Sequence, residues 1–109
     1  MHPIERAVVH LISNGKDLFS DWFNSLKDSE GRKAIDSRVT RLRQGNFGDH
    51  RSVGGGVSEL RIHQGPGYRV YFGEDGQQIV FLICGGDKGT QEQDIRRAQA
   101  LWEAHQRLK

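Results

Sequence analysis

A single cysteine, Cys84, among 109 residues excludes an internal disulfide. It lies in the apolar run "IVFLIC" (residues 79–84) and reads as a buried core thiol in a reducing compartment. The five histidines, His2, His10, His50, His63 and His105, show no H-E-x-x-H spacing, and one cysteine cannot complete a zinc ribbon. No metal and no cofactor is therefore expected. Apolar stretches approaching membrane-spanning length are absent, and residues 1–13 lack the basic segment and long apolar core of a secretory leader. A soluble, cytoplasmic protein with no membrane partner is expected. Neither "GGGVSEL" (54–60) nor "GGDKGT" (85–90) matches a phosphate-cradling loop, so their glycines point to turn geometry. Ser52 and Ser58 lack a nucleophile-elbow context, which sets serine hydrolysis aside. There is no internal repeat, low-complexity tract or domain linker.

Apolar residues make up only 35% of the chain and charged residues 28%, but the apolar ones recur periodically, which argues for one folded domain over residues 1–109. The formal net charge of +2 is unevenly spread: residues 29–51 carry six bases against three acids, while the rest is close to balance. A basic middle is compatible with a nucleic-acid or acidic-protein partner, although a solvated helix face is the simpler reading.

The run "AVVHLI" (7–12) reads as a strand. Leu18, Phe19, Trp22, Phe23 and Leu26 then recur at helical spacing, with Asn14 as the expected N-cap. A second helix after "DSEG" buries Ala34 or Ile35, with Val39 and Leu42, and ends at Gly45, which makes a helical hairpin. Residues 46–56 read as a glycine-rich loop. Three strands follow as an antiparallel meander over residues 57–84, ending in the doubly apolar "IVFLIC". Thr90 and Gln93 have capping-box spacing, and Ile95, Ala98, Leu101, Trp102 and His105 trace one face of a last helix. The core is expected to combine Leu60, Ile62, Val70, Phe72 and "IVFLIC" with Trp22 and Phe23, with Phe81 fully inside.

The stretch "SELRIHQGPGYRVYF" (58–72) carries the candidate chemistry. With period 2, Leu60 and Ile62 share one face with Tyr68, Val70 and Phe72, leaving Glu59, Arg61, His63, Arg69 and Tyr71 on the other. Lys88 follows the next strand. Metal-free RNA cleavage needs a group to take the 2′-OH proton, cations for the charge developing on phosphate, and a donor to the leaving oxygen. These residue types suffice for that, but on composition alone a wet face on which Glu59 and Arg61 neutralise each other, with Tyr71 as partly buried packing, is the simpler reading. Arg61 and Arg69 side by side repel unless an anion lies between them, and a scissile phosphate is the expected anion.

The segments "VGGGVSELRIHQGPGYRVYF" and "IVFLICGGDKGTQEQDIRRAQAL" closely resemble the RelE/ParE superfamily of toxins from type II toxin–antitoxin systems, within it the HigB-like addiction module killer proteins. The resemblance runs from about Asp17 to Leu101. It implies an α+β, RelE-like fold of order β-α-α-β-β-β-α, with an N-terminal helical hairpin packed on a small, mostly antiparallel sheet. It also implies a ribosome-dependent endoribonuclease in which Arg61, His63, Arg69 and Lys88 are catalytic and Arg38, Arg41, Arg43, Arg51 and Tyr71 bind RNA. Two positions differ from the best-known nucleases. Asp94 or Ile95 stands where they carry a tyrosine, and Arg61 and His63 replace two lysines. The implied partners are mRNA on the ribosome and a cognate helix-turn-helix antitoxin, with operator DNA reached only through that antitoxin. Alternatives within the same resemblance are a ParE-like gyrase inhibitor without nuclease activity, or a degenerate member acting only by binding.

Overall fold

The computed structural model describes residues 4–108. Its elements run β1 (Ala7–His10), α1 (Leu18–Ser25), α2 (Ser29–Arg43), β2 (His50–Gly54), β3 (Val57–Ile62), β4 (Tyr68–Asp75) and β5 (Ile79–Asp87). A 3-10 turn (Lys88–Thr90) then leads into α3 (Gln91–Arg107). The five strands lie in the order β1-β5-β4-β3-β2. β1 runs parallel to β5, and every other pair is antiparallel. This is a mixed α+β architecture of three helices on one five-stranded sheet.

Alternation along the strands decides where the helices pack. Leu60, Ile62, Val70, Phe72, Val80 and Leu82 bury one face against Phe19 of α1 and Ile35, Val39 and Leu42 of α2. Trp22 and Phe23 pack on the same core while remaining partly exposed. The opposite face forms a second core of Val57, Tyr71, Ile83 and Cys84 beneath Ala98 and Trp102 of α3. Gly73 is required there, because a Cβ would lie 2.6 Å from the Trp102 indole. Burial, and secondarily the Asp94 carboxylate, push the Cys84 thiol up to about 12, so it stays an unreactive core group.

Several expectations change. The segment expected to be only a loop contains β2, whose sequence HRSVG has no buried alternating face to announce a strand. It is held by its ladder to β3 and by Gln99 Nε2 donating to the Val53 carbonyl at 2.9 Å. The meander runs on to Asp87, beyond Cys84. Asn14 sits in a left-handed turn (φ 51°), and the α1 N-cap is Asp17, whose carboxylate accepts from Ser20 N–H at 3.0 Å. His10 Nδ1 meets both Asp17 Oδ2 (2.7 Å) and Ser20 Oγ (3.1 Å) through the same nitrogen, which makes this a cap latch and not a catalytic relay. The capping box belongs to Asp87 and Thr90 around the 3-10 turn instead of Thr90 and Gln93, while Thr90 caps α3 without a side-chain bond and donates to Asp94. Phe81 is half-buried under α3, its ring 4.5 Å from His105 and 5.7 Å from Trp102.

Asp28 caps α2 through Gly31 N–H and accepts from the Tyr68 hydroxyl at 2.9 Å, tying the hairpin to the sheet. The Gly31 N–H and then the Tyr68 hydroxyl hold its carboxyl below the ordinary value of 3.8. A carboxyl depressed in the folded state adds stability above its unfolded value, and that stability is lost as pH falls through the lower folded value. Asn at position 28 keeps an acceptor but cannot titrate. Thermal unfolding between pH 5 and pH 2 should therefore fall less steeply for Asp28→Asn than for the native chain, and equal slopes would contradict the tie. Leu82→Ala should cost about 2–5 kcal/mol in denaturant titration, and Phe81→Ala clearly less, because part of its ring is already in water.

Candidate functional site

On the α3 side of the sheet, the helix begins at Gln91 and leaves the first part of β4 and the end of β3 uncovered. Just under the helix start lies Glu59, completely buried (0% exposed). The register sets it between Arg51 on β2 and Tyr71 on β4, with Arg61 directly opposite Arg69 one pleat away. Its Oε2 accepts from the Tyr71 hydroxyl (3.0 Å) and Gln91 Nε2 (2.8 Å). Its Oε1 faces three guanidinium groups, at 3.1 Å from Arg51 Nε, 3.9 Å from Arg61 Nε and 3.8 Å from Arg69 Nε. The anion between the two facing arginines is thus a side chain of the chain itself. One carboxylate among three guanidinium groups still leaves a local excess of positive charge.

Arg69 is 4% exposed, with Nη1 donating to the Gly67 and Tyr68 carbonyls at 3.2 Å, and Arg61 is about one-third exposed. In front of them opens a cleft of about 380 Å³ lined by Arg61, His63, Arg69, Lys88 and the Gln64–Gly67 turn. Gly67 adopts a positive φ of 81° there, and the Lys88 N–H donates to its carbonyl at 2.9 Å, which fixes Lys88 at the rim. His63 is exposed, and its Nε2 meets Asp49 Oδ2 at 2.6 Å. The His63 contact, foremost among its causes, lowers the Asp49 carboxyl, so an ionised acid backs the imidazole.

The structure thus brings Arg61, His63, Arg69 and Lys88 together on one cleft. Arg51 joins through Glu59. Tyr71 does not present itself to a ligand: it is fully buried, and desolvation, with Glu59 beside it, raises its hydroxyl far above the ordinary value, leaving it a permanent donor to Glu59. The alternation that placed Tyr71 beside the arginines was right, but α3 covers that part of the face. Arg38 spends its donors on the Arg61 (2.7 Å), Phe47 and Asp49 (both 3.0 Å) carbonyls, tying α2 to the β2 and β3 ends. Arg41 and Arg43 are exposed on α2, which packs on the other face of the sheet from the cleft. Sequence reasoning missed the part played by Asp49 and Gln91, and it took Glu59 for a surface partner. The alternation of Arg51, Glu59 and Arg61 with a facing Arg69 was the available signal. Among the described residues, no group of three or more His, Cys, Asp and Glu could hold a metal ion, and no helix is long and apolar enough to cross a membrane.

A mixed α+β chain with a basic, partly buried arginine cleft is the class these features define. Residues 21–109 match the family described as "Phage derived protein Gp49-like (DUF891)", and the chain belongs to that family, which is RelE/toxin-like. The match includes every cleft residue. The chain is 47% identical over 83 residues to an uncharacterized protein of Haemophilus influenzae, covering 76% of this chain and 84% of the relative. No solved structure matches.

The burial of Arg69 decides what its removal should do. Deleting a guanidinium inside the cluster leaves carbonyl acceptors and part of the Glu59 charge unmet, so Arg69→Ala should lower stability by about 1–3 kcal/mol. Arg61→Ala, at a more exposed pair, should cost under about 1 kcal/mol. Denaturant titration of the two variants checks the order, and equal losses would place the two arginines in equivalent surroundings.

Proposed function

We propose that this protein is the toxin of a type II toxin–antitoxin system and that it cleaves mRNA on the ribosome without a metal, in the cytoplasm. The single observation that carries the reading is the cleft: Arg61, Arg69 and Lys88 converge there with His63 beside them, and Glu59 neutralises only part of their charge. Membership of a toxin-like family supports it. The element order, with two helices after the first strand and one after the last, supports a RelE-like topology extended by β2.

In this reading a phosphodiester enters between Arg61 and Lys88, where Arg61 offers a planar fork to two phosphate oxygens. Among the described residues its terminal nitrogens have no hydrogen-bond partner. Arg69 supplies charge from beneath. His63, backed by Asp49, takes the 2′-OH proton or gives one to the leaving 5′-oxygen, and the ribosome holds the RNA for in-line attack. Arg51, half-exposed beside Glu59, steadies flanking phosphates, with the exposed Arg41 and Arg43 serving the ribosomal RNA. A helix-turn-helix antitoxin would silence the chain and carry it to operator DNA.

Mapping 5′ ends of cellular mRNA after brief expression without antitoxin tests the reading. New ends inside translated codons are expected, together with a rate about 10²–10³ lower for folded Arg61→Ala, the scale for losing one preorganised charge-stabilising group. Intact mRNA accompanied by DNA breaks would instead favour inhibition of gyrase.

A further inference from the structure

Two arginines placed opposite each other on adjacent strands cannot hold a substrate unless something sets their direction. Arg61 and Arg69 are such a pair, and each has a buried Nε with no hydrogen-bond partner. Each Nε lies just under 4 Å from Glu59 Oε1, beyond hydrogen-bond reach but well inside that of charge. The carboxylate cannot move toward either of them, because Tyr71 and Gln91 hold its other oxygen and Arg51 holds Oε1. Tyr71 is fixed in the second core and Gln91 is the first residue of α3.

We infer that Glu59 is the positioning residue of the arginine cleft: its clamped, buried carboxylate draws the Nε sides of Arg61 and Arg69 inward, orients their guanidinium groups toward the cleft, and leaves the cluster short of negative charge for a phosphodiester to complete. The inference deepens the RNA-cleavage reading and rests on it for its kinetic test. Glu59 itself touches no substrate. Its fixed position replaces reorganisation that the arginines would otherwise undergo during reaction.

Glu59→Gln preserves side-chain shape and removes the charge. Single-turnover cleavage of mRNA on purified ribosomes should slow about 10²-fold at saturation, whereas the half-saturating concentration should stay level or fall, because the protein gains one net positive charge. A merely structural glutamate would instead lower the active fraction, with full rate restored on cooling. A saturated rate within about threefold of native overturns the inference. If Glu59→Gln does not fold, Gln91→Leu decides, since it frees one side of the carboxylate while keeping its charge. A rate about tenfold lower with unchanged melting supports the positioning role, and a native rate overturns it. Should the native protein itself cleave no ribosome-bound mRNA, the function reading fails first, and nitrogen-15 NMR of the arginine Nε–H groups then tests Glu59 alone. Resolved Arg61 and Arg69 signals that merge with those of exposed arginines in Glu59→Gln support the inference. Signals that stay resolved in the variant overturn it.

Discussion

A buried carboxylate facing three guanidinium groups is the constraint around which one side of this protein is organised. Glu59 loses all contact with water, and that is tolerable only because every lone pair it offers meets a donor or a cation. The partners come from four separate elements: β2 supplies the donor Arg51, β4 the donor Tyr71 and α3 the donor Gln91, while Arg61 on β3 and Arg69 on β4 act through charge alone. Strand register and helix docking must therefore both be correct before the charge is satisfied. Replacing such a cluster by apolar groups often leaves stability unchanged or improves it, so the cluster is not explained by stability alone.

The helix that completes the cluster also limits it. α3 closes the sheet over Tyr71, Gly73, Ile83 and Cys84 and begins at Gln91, so the same face is a dry core at one end and a charged cleft at the other. Gly73 permits the approach of Trp102, and Gly86 does the same for Asp94, whose carboxylate would collide with a Cβ there. Small residues on the central strands thus set where the helix can lie, and the helix sets where the cleft begins.

Much of this was legible in the residues. Alternation in 58–72 separated the apolar from the ionisable face, and the stripes of Ile35, Val39 and Leu42 and of Ala98 and Trp102 marked the faces that α2 and α3 bury. The turn at 63–67 and the position of Lys88 after β5 were enough to gather four residues on one cleft. What alternation does not carry is coverage. The same pattern describes a wet face and a covered one, so Tyr71 and Arg69 read as surface groups although α3 and the cluster bury them. β2 was hidden for a related reason: an edge strand with mostly exposed side chains needs no apolar period. The α1 cap was misplaced by three residues because Asn14 and Asp17 are both competent cap residues and only the chain path selects between them, whereas Thr90 does cap α3, with the capping box itself lying one turn earlier between Asp87 and Thr90.

If the cleft in front of Glu59 is where the chain meets a phosphodiester, binding must register there. Amide NMR of the native protein titrated with a short single-stranded oligonucleotide carrying 2′-deoxy sugars, which it cannot cleave, tests this most directly. The account predicts perturbations concentrated at Arg61, His63, Gly67, Arg69 and Lys88 that weaken as salt is raised. Perturbations centred on the exposed face of α2, with the cleft amides unmoved, would contradict it.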